Sequence, residues 1–224
     1  MNISIPIIAT GDYIKYVPKL IEGINKYFLP GHKKWIYVFT DYKKEVHGAM
    51  TVYQEHKPWP YPTLYRYNIF HNYFHSQQLC FDYYFYLDAD MMVVDTVGDE
   101  ILGGIVATIH PGFMNKRPEK FELDTKFLAK SYINPKLVKQ YYCGGFNGGS
   151  KYLEIAKVIT SWVNIDQKHH YTPNWHDESY LNKFLTINVP DIVLSPEYCM
   201  PETMRERRVY GIAHMKPKII AITK

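Results

Sequence analysis

No stretch of the chain approaches the ~18 consecutive apolar residues needed to cross a bilayer. The opening Met1-Asn2-Ile3-Ser4-Ile5-Pro6-Ile7-Ile8-Ala9-Thr10 also lacks a basic leader followed by a long apolar run. The expectation is a soluble, cytoplasmic protein with no transmembrane segment. Cysteine is scarce: Cys80, Cys143 and Cys199 leave at least one thiol unpaired, and there is no Cys-X-X-Cys spacing. That argues against structural zinc or dithiol redox work and for a reducing compartment. His169, His170 and His176 do not form a His-Glu-X-X-His pattern, so zinc catalysis has no support. Repeats, low-complexity tracts and internal linkers are missing too, and residues 1–224 read as one domain.

Charge of one sign is also wanting. The formal net charge of +4 is held by residues 205–224, where Arg205, Arg207, Arg208, Lys216, Lys218 and Lys224 oppose Glu206. A near-neutral body argues against a nucleic-acid partner, while a basic tail suits a local anion such as a diphosphate over which it could close. The same tail also reads as a solvated or frayed terminus. What the chain does have is aromatic side chains, 21 Tyr, 11 Phe and 4 Trp, which suit cores and sugar-binding clefts alike.

The β-branched segment 3–9 runs into Thr10-Gly11-Asp12-Tyr13 and then a helix over 14–28, a β-α opening that recurs at 34–41, with a third strand near 50–54. Pro58-Trp59-Pro60-Tyr61-Pro62-Thr63 reads as a rigid extended loop before a helix over 64–79. Further on come a strand near 104–109, a Gly-rich stretch, and helices near 151–163 and 178–184. This order predicts a wound α/β sheet, with ligands gathered outside the carboxyl ends of its strands.

At one such end stands Asp88-Ala89-Asp90, after the apolar run Tyr83-Tyr84-Phe85-Tyr86-Leu87. Two carboxylates this close repel one another unless a cation sits between them, so Asp88 and Asp90 are candidate ligands for Mn²⁺ or Mg²⁺ completed by phosphate oxygens and water. An acidic turn after a strand has the same sequence, and a phosphohydrolase could use the same pair. His110-Pro111-Gly112-Phe113 fixes an imidazole and a phenyl ring on a turn. Tyr141 to Gly149 offers four glycines but neither a Gly-X-Gly-X-X-Gly nor a Gly-Lys-Ser/Thr phosphate cradle, so it reads as a close-fitting pocket wall or a tight turn. In Trp175-His176-Asp177-Glu178 the ring suits sugar stacking and Glu178 suits an electrophilic anomeric carbon, whereas Asp177 reads as a helix cap.

In combination these blocks, with Leu181-Asn182-Lys183 and Leu194-Ser195-Pro196-Glu197-Tyr198, resemble glycosyltransferase family 6, the group that holds the histo-blood-group A and B transferases, over about 3–201. The resemblance implies a single GT-A domain built on a Rossmann-like wound mixed sheet. It also implies retaining, metal-assisted α-1,3 transfer of N-acetylgalactosamine or galactose from a UDP-sugar to a galactoside or fucosyl-galactoside. By motif position Ile8, Ala9, Thr10, Tyr13, Arg66, Asp88, Ala89, Asp90 and Asp177 fall at the nucleotide-sugar. His110, Phe113 and Trp175 fall at the acceptor, and Glu178 falls at the reacting carbon, as nucleophile or front-face stabiliser. Within Cys143-Gly144-Gly145, where the family sets donor choice, glycine at 145 resembles the N-acetylgalactosamine-using arrangement. A non-catalytic carbohydrate-binding protein on the same fold is the alternative, and it predicts glycan binding without consumption of a nucleotide-sugar.

Overall fold

Residues 1–223 are described by a computed structural model; Lys224, the last cation of the basic tail, lies outside the described residues. Strand β1 (Asn2–Ile8) passes through a 3-10 turn at Gly11–Tyr16 into helix α1 (Val17–Tyr27), and β2 (Lys33–Thr40) and β3 (Met50–Tyr53) follow. Helices α2 (Tyr61–Leu64) and α3 (Arg66–Ser76) lead to β4 (Tyr83–Leu87) and the short β5 (Met91–Val93). After β6 (Val106–Ile109) a long excursion returns as β7 (Tyr142–Gly149), then α4 (Tyr152–Lys168), α5 (His176–Ile187) and β8 (Ile192–Leu194). The chain ends in β9 (Met200–Pro201), α6 (Met204–Val209) and β10 (Ile219–Ala221).

The main sheet runs β3-β2-β1-β4-β7-β6-β8. Strands β1 to β4 pair in parallel, and β7 lies antiparallel between β4 and β6. This is the wound, mixed sheet of a GT-A fold. Strand alternation sorts the side chains into two layers. Ile36, Val38, Phe85 and Leu87 face α1, whereas Tyr37, Phe39, Tyr84 and Tyr86 face α3, α4 and α5. The aromatic surplus is therefore largely core: Tyr37 meets Phe74, and Phe39 meets Tyr73, edge to face at 5.1 Å, a packing worth about 0.5–1.5 kcal/mol per pair beyond burial.

Two expectations are corrected here. The Gly-rich stretch, read as a pocket wall or a tight turn, is the buried inner strand β7 and not a turn. Its composition opposes strand formation, but a Cβ on Gly148 would stand 2.3 Å from Tyr84 O, and Gly149 has φ +120° with Gly104 O 2.2 Å from its Cβ direction. Close backbone approach requires glycine at both. The tail does not fray either. Strand β10 pairs with β5 and β9 in a second small sheet, Ile219 is fully buried, and Lys216 and Lys218 pair with Asp95 and Glu100.

Candidate active site

The carboxyl end of β4 delivers Asp88 beside β7, where its amide donates to Gly145 O at 3.0 Å, and a tight turn closes with Met91 N on Asp88 O at 3.1 Å. The Tyr86 hydroxyl donates to Asp88 Oδ1, and Arg66 Nη2 lies 3.3 Å from the same oxygen. Arg66 stands at the start of α3 and is only 4% exposed. Its Nη1 donates to Gly144 O at 2.9 Å, and its guanidinium lies 4.2 Å over the Tyr86 ring. Its Nε is 3.0 Å from Asp177 Oδ2 but out of line for a hydrogen bond, so that contact is coulombic. Burial works against the guanidinium charge, yet Asp177, Tyr86 and Asp88 together hold it protonated well above its usual range.

Helix α5 brings its first turn to the same point. Asp177, in the first turn of this helix, pairs with Arg66; the N-cap residue, Trp175, makes no side-chain cap bond. Glu178 Oε2 accepts from Gly144 N at 2.7 Å, with Tyr141 nearby. Burial pushes Asp177 up to about 7 against the pull of Arg66. Burial likewise raises Glu178 to about 7, with the Gly144 amide pulling the other way.

Two cavities lie near this cluster: Asp88 lines the first, and Trp175 and Ser179, on either side of Asp177 and Glu178 in sequence, line the second. One, of about 390 Å³, is lined by Ile8, Thr10, Tyr13, Asp88, Ala89 and Asp90, and also by His56, Lys57 and Trp59. The other, of about 660 Å³, lies between residues 122–126 and Tyr171, Asn174 and Trp175. Ala9, which follows β1, is fully buried in the core. Cys143 is likewise in the core, beside Cys199. A Cβ on Gly144 would face Asp177 Oδ2 at 3.2 Å and Glu178 Oε2 at 3.4 Å, whereas one on Gly145 would meet Met91 Cε at 2.4 Å and Asp88 Oδ2 at 3.1 Å.

His110 Nδ1 accepts from Gly112 N at 3.1 Å, which places the ring proton on Nε2. Burial, with Lys116 nearby, lowers this imidazole to about 4, so it stays neutral at physiological pH. Its ring lies 5.8 Å from that of Tyr141, the residue near Glu178. Phe113 sits with Tyr141, Phe121, Ile133 and Val138 in a small third core, only 7% exposed. Trp175, by contrast, is 47% exposed.

Sequence reasoning missed Asn147. Its Nδ2 donates to Gly144 O at 2.9 Å, so Asn147 and Arg66 together fix the peptide next to the one that holds Glu178. A lone Asn inside a Gly-rich block carries no signal of this. His56, Lys57 and Trp59 were missed because the Pro-rich segment predicts a loop but not which wall it forms.

Among the described residues no group of three or more His, Cys, Asp or Glu forms a metal cage. The chemistry of the donor set still fits Mn²⁺ or Mg²⁺, which are commonly held by one or two carboxylates plus substrate phosphates and water. Asp88 has Oδ1 engaged by Tyr86 and Arg66, which leaves Oδ2 for such an ion, and Asp90 lines the same cavity.

The family model "Glycosyltransferase family 6" matches residues 1–217. The rat histo-blood group ABO system transferase 1 is 33% identical over 210 residues, covering 88% of this chain and 60% of that protein. The human globoside alpha-1,3-N-acetylgalactosaminyltransferase 1 is 26% identical, with coverage of 88% and 60%. The O-antigen biosynthesis glycosyltransferase WbnI of Escherichia coli is 28% identical, with coverage of 93% and 92%. The chain thus spans about 60% of the length of these mammalian relatives and nearly all of the bacterial one. A GT-A sheet and a family match over almost its whole length place the chain in glycosyltransferase family 6.

Proposed function

We propose that the protein transfers N-acetylgalactosamine, or galactose, from its UDP-sugar in α-1,3 linkage to a galactoside or fucosyl-galactoside, with retention of anomeric configuration. The observation that carries this reading is the cluster of Arg66, Asp88, Asp177 and Glu178, which meets one cavity at the carboxylate pair Asp88 and Asp90 and neighbours in sequence the exposed Trp175 of another. The nucleotide-sugar fits the first and the acceptor the second.

Asp88 and Asp90 would hold Mn²⁺ or Mg²⁺. When bound, such an ion supplies Lewis-acid neutralisation of the departing diphosphate. Tyr13 and Thr10 border the nucleotide end of that cavity. Arg66 holds Asp88 and Asp177 in fixed relation and pins Gly144 O. Glu178, aimed by the Gly144 amide, is the group that meets positive charge at the anomeric carbon, whether by forming a bond or by stabilising a front-face departure. Neutral His110, with its proton on Nε2, can donate to an acceptor hydroxyl, and Trp175 offers a sugar-stacking face.

The test is UDP release from UDP-N-acetylgalactosamine and UDP-galactose with lactose or fucosyl-lactose, with and without Mn²⁺, and linkage analysis of the product. Glycan binding without UDP release would favour the non-catalytic alternative. Asp88→Asn keeps the shape of the side chain and removes its charge. It is expected to weaken Mn²⁺ activation by about 10- to 100-fold, read as the Mn²⁺ concentration for half-maximal rate; an unchanged Mn²⁺ dependence would remove Asp88 from this role. Gly145→Ala puts a methyl against Met91 Cε and Asp88 Oδ2. On the N-acetylgalactosamine reading it shifts the ratio of kcat/KM values towards UDP-galactose by about 10-fold, the scale available to one methyl in a pocket, and an unaltered ratio would count against that donor preference.

A further inference from the structure

The excursion between β6 and β7 has an outer side that neither the fold nor the proposed chemistry uses. Its inner side packs on Phe113, Phe121 and Tyr141 and lines the cavity beside Trp175. Its tip, Lys126-Phe127-Leu128-Ala129-Lys130, presents Phe127 and Leu128 at 76% and 87% exposure. A second exposed leucine, Leu137 at 65%, follows Lys136 on the same excursion. Hydration of apolar side chains this exposed is unfavourable, and the fold recovers nothing by placing two of them side by side.

The tip is nonetheless held in place. Lys130 N donates to both carboxylate oxygens of Asp166 on α4, at 2.8 and 2.9 Å, and Asp166 is only 3% exposed. Ala129 N closes on Lys126 O at 2.9 Å, and Ile133 N on Asp124 O at 3.1 Å. Phe127 packs edge-on to Tyr132 at 5.3 Å, which fixes its direction without covering it. Along the excursion the charge is one-sided: between residues 116 and 139 there are seven Lys or Arg, all exposed, against three Asp or Glu. Of those acids Asp124 is occupied, accepting from Ser131 and Tyr171.

We propose that this tip is a docking surface for an anionic lipid bilayer, with Phe127 and Leu128 entering the interface and the exposed lysines of the same excursion meeting acidic headgroups. The pairing of protruding apolar side chains with flanking cations is the chemistry of interfacial membrane binding. Side chains that stand this far out of the surface suit insertion into lipid better than the cupping of a protein partner. Docking here would bring the cavity beside Trp175 close to the membrane surface, so that, granted the proposed function, the acceptor class is a glycan carried on a lipid.

Co-sedimentation with vesicles of pure phosphatidylcholine, and of phosphatidylcholine with phosphatidylglycerol, tests this without donor or acceptor. The wild-type protein is expected to bind the anionic vesicles, to bind neutral ones far less, and to be released by high salt. Phe127→Ser with Leu128→Ser weakens binding by about tenfold or more, as does Lys130→Glu with Lys136→Glu. UDP release with a soluble acceptor is unchanged in the serine pair. No binding to anionic vesicles overturns the proposal, and so does equal binding by the serine pair and the wild type. Vesicle binding by a protein that releases no UDP leaves the docking surface standing and defeats the proposed transfer instead.

Discussion

Glu178→Gln is expected to lower kcat by about 10³-fold, the scale seen when one group that meets developing charge is removed from a preorganised site. Affinity for UDP is expected to stay within about twofold, because the loss falls on the transition state and not on ground-state binding. The amide keeps an oxygen for the Gly144 N–H, which lies 2.7 Å from Oε2, so the backbone around it is preserved. What disappears is the negative charge opposite the anomeric carbon. The pH profile separates this role from a structural one. Burial raises Glu178 to about 7, and the reaction needs the ionised form, so the kcat/KM of the wild-type enzyme rises with pH through a transition near that value. Asp177, also raised to about 7 by burial, shares Arg66 with it, and the two acids titrate as a pair rather than singly. The Gln variant loses the component that belongs to Glu178. Comparable kcat values, or an unaltered profile, would take the reacting carbon away from this residue.

The parts of this site that were legible in the sequence are those whose signal is local. Asp88 and Asp90 announce themselves because two acids follow an apolar strand, and the strand is where periodicity places it, at Tyr83–Leu87. The wound sheet was legible for the same reason, since β1, β2 and β4 are apolar runs ended by turns. Strand β7 was not, because its glycines answer to neighbours distant in sequence: Tyr84 and Gly104 approach too closely for any side chain. Asp177 reads locally as a cap because capping is decided within one turn, whereas its charge partner Arg66 comes from another helix. The basic tail looked free by composition alone. The buried Ile219 and the pairing of β10 with β5 show that three apolar residues outweigh the flanking cations. Asn147 lay beyond any local rule, because its hydrogen bond has meaning only once Gly144 is seen between Arg66 and Glu178.

Arg66→Met is expected to cost about 3–5 kcal/mol of stability, the usual penalty when one partner of a buried ion pair is removed and the other is left uncompensated. With roughly 2–4 °C of melting temperature per kcal/mol for a chain of this size, the variant should melt about 10 °C below the wild type. Methionine fills much of the volume, so the loss is chiefly electrostatic: Asp88 and Asp177 lose their shared cation, and Gly144 O loses a donor. The sign of the pH dependence follows. The folded-state pKa of Asp177 is raised to about 7 from an ordinary 3.8, so the folded protein binds its proton more tightly than the unfolded chain does. Its contribution to stability therefore falls as pH rises from about 4 towards 7. Without Arg66 the pKa moves higher still, and the deficit of the variant grows from pH 5 to pH 8. Adding Asp177→Asn to Arg66→Met removes the stranded charge and should recover part of the loss at pH 8 but little at pH 5. Thermal melts of the two variants and the wild type at both pH values measure this, and a deficit independent of pH would mean that Arg66 acts by packing and not as the counter-ion of the acids around it.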